Sequence, residues 1–264
     1  MNPSPIAREF TQTGKCESCP VIDCHGHFGP YQGIYFPNVT PEAMIGSMDR
    51  AGVKFVVSSG HMALVDTDRG NAEMQSVVGA HGDRIKGYWS INPNYPERIE
   101  ADLAGFDSVS GFLGFKFLAD YHKYPITGDR YRPVLRYAEQ RRLPILMHTW
   151  GGSAFDSADH VDEVAHKYPS VPILMGHSAH GDWEGAVRVA LKHPNVYLEL
   201  TAAYAVRGAV ELMVDAGCSQ KLLFGTDLPW FDPHYAIGCI VFADISDEDR
   251  HNALHRNAER LYGL

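Results

Sequence analysis

Long apolar runs are missing from this 264-residue chain. None approaches the ~18–20 residues that cross a bilayer, so a membrane span is not expected. The first twenty residues, MNPSPIAREFTQTGKCESCP, lack the apolar central stretch of a secretory signal. Positive charge is scarce as well: 23 Lys and Arg stand against 32 Asp and Glu, a net charge of −9. That balance removes the basic footprint of a general phosphate-backbone binder, so neither nucleic acid nor membrane is an expected partner. No G-x-G-x-x-G follows the first apolar run, which argues against a dinucleotide-binding fold. Gly (25) and Pro (16) are too few for a collagen-like or low-complexity chain, while 45% apolar residues suffice for a packed core. A soluble, cytoplasmic protein is the expectation.

Cysteine is sparse and odd in number. Of the five, Cys218 and Cys239 lie far from the rest, so without a secretory signal a disulfide framework is not expected. Cys16 and Cys19 form a lone C-x-x-C with Cys24 close behind. A structural zinc site would need a second pair or two histidines at finger spacing. Neither is evident, and the group is left without a role. Histidine is abundant by contrast, 14 against 8 Lys, and histidine titrates near neutral pH and binds metals.

Short apolar runs alternate with amphipathic stretches. Strands are expected at 21–28, 53–58, 85–91, 111–119, 144–150, 172–177, 196–201 and 221–227, each bounded by Gly, Pro or Asn. Between them, Thr40 caps a helix with Pro41 at its first position, Met44, Ile45, Met48 and Ala51 on one face, and Gly52 at its end. Asp182 opens another, with Trp183, Val187, Ala190 and Leu191 on one stripe and Pro194 stopping it. Ser246 caps a last helix with Leu254, Ala258 and Leu261 inward and Gly263 at its end. Near-continuous apolar strands between helices indicate a parallel sheet buried on both faces. Eight βα units in a chain of this length fit a single-domain (β/α)8 TIM barrel over residues 21–264, preceded by a short surface arm over residues 1–20.

The strongest chemical signal is Val-Ile-Asp-Cys-His-Gly-His at 21–27. Alternate strand residues share a face, so Asp23, His25 and His27 point together, with Gly26 leaving room between the two imidazoles. Three later strands also end in a metal-capable residue: His148 in PILMHTW, His177 in PILMGHS and Asp227 in LLFGTDLP. Singly, each is a satisfied polar residue at a strand end; jointly, at the carboxyl ends of barrel strands, they point to one rim where barrel active sites sit. Nitrogen and oxygen donors without thiolate suit Zn²⁺ first, with Mn²⁺, Fe²⁺, Co²⁺ or Ni²⁺ as alternatives. The expected ligands of one divalent ion are His25, His27, His148 and Asp227. Asp227 is also the expected proton acceptor for a metal-activated water, and His177 the group that polarises the scissile carbonyl or protonates the leaving group. Asp23 either fixes an imidazole tautomer or is a satisfied polar residue at a strand start.

The set VIDCHGHF, PILMHTW, PILMGHS, LLFGTDLPW and the closing NALHRNAERLYGL resembles the amidohydrolase-related family of the amidohydrolase superfamily, in the family's order from about residue 21 to the end. The resemblance implies a metal-dependent barrel that hydrolyses C–N, C–O or C–C bonds or decarboxylates aromatic and related acids. It also implies His25 and His27 as first-strand ligands, His148 as the fifth-strand ligand, His177 as the sixth-strand acid/base and Asp227 as the eighth-strand ligand. Lys116, in GFLGFKFLAD, falls on the fourth strand, where binuclear members of the superfamily carry a carbamylated lysine bridging two metals. Members more similar to this chain hold one ion, and one is expected here. A carbamylated Lys116 would instead make His148 and His177 ligands of a second ion, and an unmodified one would snorkel or bind a substrate anion.

The expected function is metal-dependent hydrolysis of a small amide, ester or lactone, with non-oxidative decarboxylation of an aromatic or related acid as the alternative. A non-catalytic metal- or metabolite-binding barrel is disfavoured by the intact ligand set, and a nuclease by the charge. Tyr31, Tyr35, His61, His122, Lys123, Tyr124, Trp150, His180, Trp230 and His234 follow the strands on the same rim and are candidates for substrate selection. His160, His166, His193, His251 and His255 fall on helical segments and read as surface residues. The expected partner is a small molecule, with self-association left open.

Overall fold

Eight parallel strands pair in sequence order: β1 (Val21–Phe28), β2 (Val53–Gly60), β3 (Ile85–Ile91), β4 (Phe112–Phe117), β5 (Ile145–Trp150), β6 (Ile173–His180), β7 (Val196–Glu199) and β8 (Leu222–Leu223). The structure, a computed structural model, describes residues 4–37 and 39–264. Main-chain hydrogen bonds bring the eighth unit back to the first: Cys24 N–H donates to the Phe224 carbonyl at 2.8 Å and His27 N–H to that of Leu228 at 2.7 Å. The result is the expected (β/α)8 TIM barrel, with helices between successive strands. No helix among the described residues is long and apolar enough to cross a membrane.

Two apolar layers follow from the period-2 pattern of the strands. Val21, Ile85, Phe115, Phe117, Ile145, Met147, Ile173 and Met175 face the helices in the large outer core. Ile22, Phe55, Tyr88, Leu146, Leu174 and Leu223 form the inward layer. Because Phe115 and Phe117 face outward, Lys116 between them must face the barrel interior, and it is fully buried. It therefore does not snorkel.

Strict alternation fails on β1. Its pairing with β2 slips between Asp23 and Gly26, an irregularity that lets consecutive residues reach the inside. Cys24 joins the inward layer while His25 meets Lys116. A Cβ at Gly26 would approach Val56 Cγ2 to 2.6 Å and then Leu228 O and Ser58 Oγ rather than either imidazole, so glycine serves the close approach of β2.

The eighth strand is shorter than the 221–227 run expected. Phe224 N–H donates not to a neighbouring strand but to the Ala253 carbonyl at 3.0 Å, from a π-helical turn over Asn252–Arg256. Beyond it the chain turns: Thr226 and Asp227 N–H both donate to the His25 carbonyl, at 3.2 and 2.7 Å, and Asp227 takes φ 59°. That turn lifts Asp227 off the ladder.

Local signals elsewhere act as read. Thr40 accepts from Ala43 N–H ahead of Pro41–Ala51, which ends at Gly52 with φ 78°. Asp182 accepts from Gly185 N–H ahead of Trp183–Lys192. Leu191 is 54% exposed, however, because the buried stripe of that helix runs through Ala186, Val189 and Ala190. Ser246 and Asp249 form a reciprocal capping box. The first residues are more than a surface arm: Pro5–Thr13 is a helix capped by Ser4, and Ile6, Cys16 and Cys19 are buried in the outer core.

Candidate active site

The inward-facing residues above the Leu layer converge at the carboxyl end of the barrel. His25 Nε2 lies 3.2 Å and His27 Nε2 3.0 Å from the same oxygen, Asp227 Oδ1. The His25 ring centroid is 5.3 Å from that of His27 and 5.0 Å from that of His177, and His177 is in turn 5.0 Å from His148. All five expected site residues thus line one space. The tightest set of candidate metal donors among them is His25, His27 and Asp227, while His148 falls in a separate group with Asp120 and Asp156.

Each of three imidazoles is oriented by a second contact. Glu199, fully buried, receives four donors on its two oxygens. Thr201 N–H (2.7 Å) and Oγ1 (2.6 Å) donate to Oε1, while His177 N–H (3.1 Å) donates to Oε2, where His25 Nδ1 also lies at 2.7 Å. A carboxylate only accepts, so His25 Nδ1 carries the proton and Nε2 presents its lone pair to the interior. His148 Nδ1 meets Asp156 Oδ2 at 3.1 Å, and His27 Nδ1 meets Ser59 Oγ at 3.2 Å. Asp23 touches no imidazole. Its carboxylate accepts from the main-chain N–H groups of His25 and Thr226 and from Thr226 Oγ1, so it anchors the β1–β8 junction instead. Burial pushes it up to about 7, against those hydrogen bonds.

Sequence reading missed Glu199 and Asp156. Glu199 carried a signal, an acid closing the apolar run VYLEL at the end of β7. Asp156 lies in the loop after β5 and carried none.

The backbone around the site is held in unusual conformations. His177, Ser178 and Ala179 take φ of 60°, 49° and 49°, values that cost non-glycine residues energy unless surrounding contacts impose them. Three hydrogen bonds do so: His177 N–H to Glu199, Ser178 Oγ to the Glu199 carbonyl at 2.8 Å, and Ala179 N–H to Thr149 Oγ1 at 2.9 Å. Gly225 is needed where the last turn crosses β1 and β7. A Cβ there would lie 2.7 Å from His25 Cβ and crowd Glu199 Oε1.

Electrostatics follow from burial. Loss of water holds His25, His27 and His177 below the usual histidine range. Burial alone would raise Asp227, but His25 and His27 beside it hold the carboxyl well below its usual range. Lys116 Nζ lies 2.6 Å from His25 Nε2, and burial lowers the amine to about 8 against the pull of Asp227 and Glu199. Imidazole nitrogens gathered on a carboxylate whose buried Oδ1 has no well-formed hydrogen bond are the donor set of a divalent-cation site. The residues present therefore fit a metal ion.

Above these groups opens a cavity of about 210 Å³, with His27, His148, His177 and Asp227 at its base. Its walls are Leu64, Leu118, Tyr121, Trp150, Trp230 and Phe231. His61 stacks on His27 at 4.8 Å and accepts from Trp230 Nε1 at 2.9 Å. Of the rim candidates, His61, Trp150 and Trp230 line this cavity. His122 is buried away from it, with Nε2 3.0 Å from the Ala63 carbonyl, and His234 Nε2 lies 3.0 Å from that of Arg50.

A family model described as amidohydrolase matches residues 22–264. No curated protein matches the chain by sequence. Among solved structures, an uncharacterised TIM-barrel protein from Bordetella bronchiseptica is 20% identical with a TM-score of 0.77, covering 92% of this chain and 98% of its own. A dihydroxybenzoic acid decarboxylase from Polaromonas sp. JS666, with manganese and 2-nitroresorcinol, is 16% identical with a TM-score of 0.77, covering 93% and 97%. A 5-carboxyvanillate decarboxylase from Novosphingobium aromaticivorans, with manganese and a nitrobenzoic acid, is 14% identical with a TM-score of 0.73, covering 93% and 96%. At these identities the likeness is one of fold.

Proposed function

The chain belongs to the amidohydrolase family, and from that premise we propose that it is a metal-dependent enzyme hydrolysing an amide, ester or lactone bond of a small organic substrate. The observation that carries this reading is the convergence of His25 Nε2, His27 Nε2 and Asp227 Oδ1 within 3.2 Å beneath an aromatic-walled cavity. His25, His27, His148 and Asp227 would hold one divalent ion, Zn²⁺ by donor chemistry, with Mn²⁺, Fe²⁺, Co²⁺ and Ni²⁺ admitted by the same donors. Such an ion polarises a substrate oxygen and lowers the pKa of the water it holds. Asp227, ionised and at the cavity base, accepts the proton of the attacking water. His177 stands neutral across the same space and donates a hydrogen bond to the substrate carbonyl or its leaving group. Leu64, Leu118, Trp150 and Trp230 exclude water and favour a flat, conjugated substrate.

A second reading, non-oxidative decarboxylation, is favoured by the aromatic walls together with the two manganese-containing decarboxylases of the same fold. Here the same donors would orient the acid, and His177 or Asp227 would relay to carbon a proton taken up from water. One experiment separates the readings. The metal-free protein, reloaded with Zn²⁺ or Mn²⁺, is incubated with esters, lactones, amides and hydroxybenzoic acids, and both carbon dioxide and hydrolysis products are assayed. Hydrolysis product without carbon dioxide supports the first reading and carbon dioxide alone the second, while full activity without metal rejects both.

A further inference from the structure

At the opposite end of the barrel, the C-x-x-C segment meets two histidines from the other end of the chain. Cys19, fully buried and two residues ahead of β1, lies with His251 and His255 so that one donor atom of each falls within 4.8 Å of the others. The two imidazoles are closer still, His251 Nδ1 to His255 Nε2 at 3.0 Å. We infer that Cys19, His251 and His255 form a second metal site, for a thiophilic divalent ion such as Zn²⁺, separate from the candidate active site.

The donor geometry supports it. Ligands sharing one tetrahedral Zn²⁺ at about 2.3 Å for sulfur and about 2.0–2.1 Å for nitrogen are separated by roughly 3.3–3.6 Å, and the present group needs only side-chain adjustment to reach that. Behind the cluster, His255 Nδ1 lies 3.1 Å from Glu259 Oε2. That contact brings negative charge beside the cluster without a formed hydrogen bond, and the hydrogen bond between the two rings is the one an ion would replace. Arg256, the cation on the same turn, is paired with Glu248 at 3.0 Å. The Cys19 thiol donates only a long hydrogen bond, to the Pro20 carbonyl at 3.9 Å, among the described residues. The fourth position of such a site would be left to water, since the clustered donors are Cys19, His251 and His255 alone among the described residues. The spacing C-x2-C with H-x3-H is that of a structural zinc site, divided here between the two ends of the chain. In the sequence His251 and His255 read as surface residues of a helical segment, more than two hundred residues from the cysteines.

Binding would exchange the Cys19 thiol proton for the ion, the proton passing to solvent. The ion would then tie the segment ahead of β1 to the C-terminal helix, on the end of the barrel that serves stability rather than catalysis.

The test is Co²⁺ titration of the metal-free full-length protein, followed by metal analysis and thermal unfolding with Zn²⁺. A thiolate-to-cobalt charge-transfer band is expected. Cys19→Ser should lose that band and one equivalent of ion while a second equivalent, bound without thiolate, remains. Zn²⁺ should raise the unfolding temperature of the parent protein by several degrees more than that of the variant. If Cys19→Ser fails to fold, His251→Gln, at a half-buried position, should lose the band in its place. Absence of the band in the parent protein, or its persistence unchanged in either folded variant, overturns the inference.

Discussion

Glu199 Oε2 lies 2.7 Å from His25 Nδ1 and accepts the main-chain N–H of His177 at 3.1 Å, so one buried carboxylate sets both a ring and a backbone of the candidate active site. Its other oxygen is filled by Thr201. Glu199→Gln keeps the shape but replaces an acceptor oxygen by an NH₂ group. Facing either the His25 Nδ1–H and His177 N–H or the two Thr201 donors, that group meets a donor with a donor. Metal affinity is expected to fall about 10–100-fold, with kcat/KM falling in parallel at subsaturating metal. Isothermal titration with Zn²⁺ or Mn²⁺ measures the first and steady-state kinetics the second. Wild-type affinity in the variant would remove Glu199 from this role.

Much of this arrangement was legible beforehand. The strand positions, the caps at Thr40, Asp182 and Ser246, and the gathering of His25, His27, His148, His177 and Asp227 follow from apolar periodicity interrupted by polar residues at strand ends. What stayed hidden depended on contacts distant in sequence. The early end of β8 is set by a hydrogen bond from Phe224 to Ala253. The orienting carboxylate proved to be Glu199 rather than Asp23 because the irregular register of β1 turns Asp23 toward Thr226. His193 and His255, expected on the surface, are buried, each beside an acid: His193 Nε2 lies 2.5 Å from Asp162 and His255 Nδ1 3.1 Å from Glu259.

The metal-free protein should lose stability in mild acid. Burial holds His61 at about 3 in the fold, against an ordinary value of 6.5, and lowers His122 as well. Below about 6.5 the unfolded chain takes up protons that the folded protein refuses, so stability falls as pH falls from about 6.5 toward about 3. Protonation of His61 Nε2 would also break the bond it accepts from Trp230. Asp23, raised to about 7, acts in the opposite sense over the same window, so the His61 contribution is read as the difference in unfolding midpoint between the parent and His61→Asn from pH 8 to pH 4.5, opening below about 6.5. His61→Asn should flatten the decline, since one refused proton is gone.

Gly225→Ala tests the packing of the last turn. The added Cβ would lie 2.7 Å from His25 Cβ and press on Glu199 Oε1, two groups that the site cannot move independently. Overpacking of this kind costs roughly 1–3 kcal/mol, readable as a lower urea midpoint at unchanged slope. Because the strain falls on His25, metal affinity should drop along with stability. Gly217→Ala, at φ 91° but with open space around it, is the comparison: it should cost stability through the backbone alone and leave metal binding intact.

Asp227 carries two roles in the proposed reaction, and Asp227→Asn divides them. An asparagine oxygen can still face His25 and His27 where Oδ1 stands 3.2 and 3.0 Å away, so part of the metal affinity should survive. The amide cannot accept a proton from water at neutral pH, and loss of a general base typically costs about 10²–10⁴ in rate. The expected pattern is a variant that folds, binds metal more weakly, and at saturating metal still shows kcat reduced by that factor with KM little changed. The separation matters because the aspartate is held ionised by the two imidazoles, and removing its charge also removes an attraction for the ion. Metal analysis after equilibration at several concentrations of free Zn²⁺ isolates the binding loss, and kcat at the plateau isolates the proton-transfer loss. A plateau kcat equal to that of the parent would leave Asp227 as a ligand alone and assign the proton to His177.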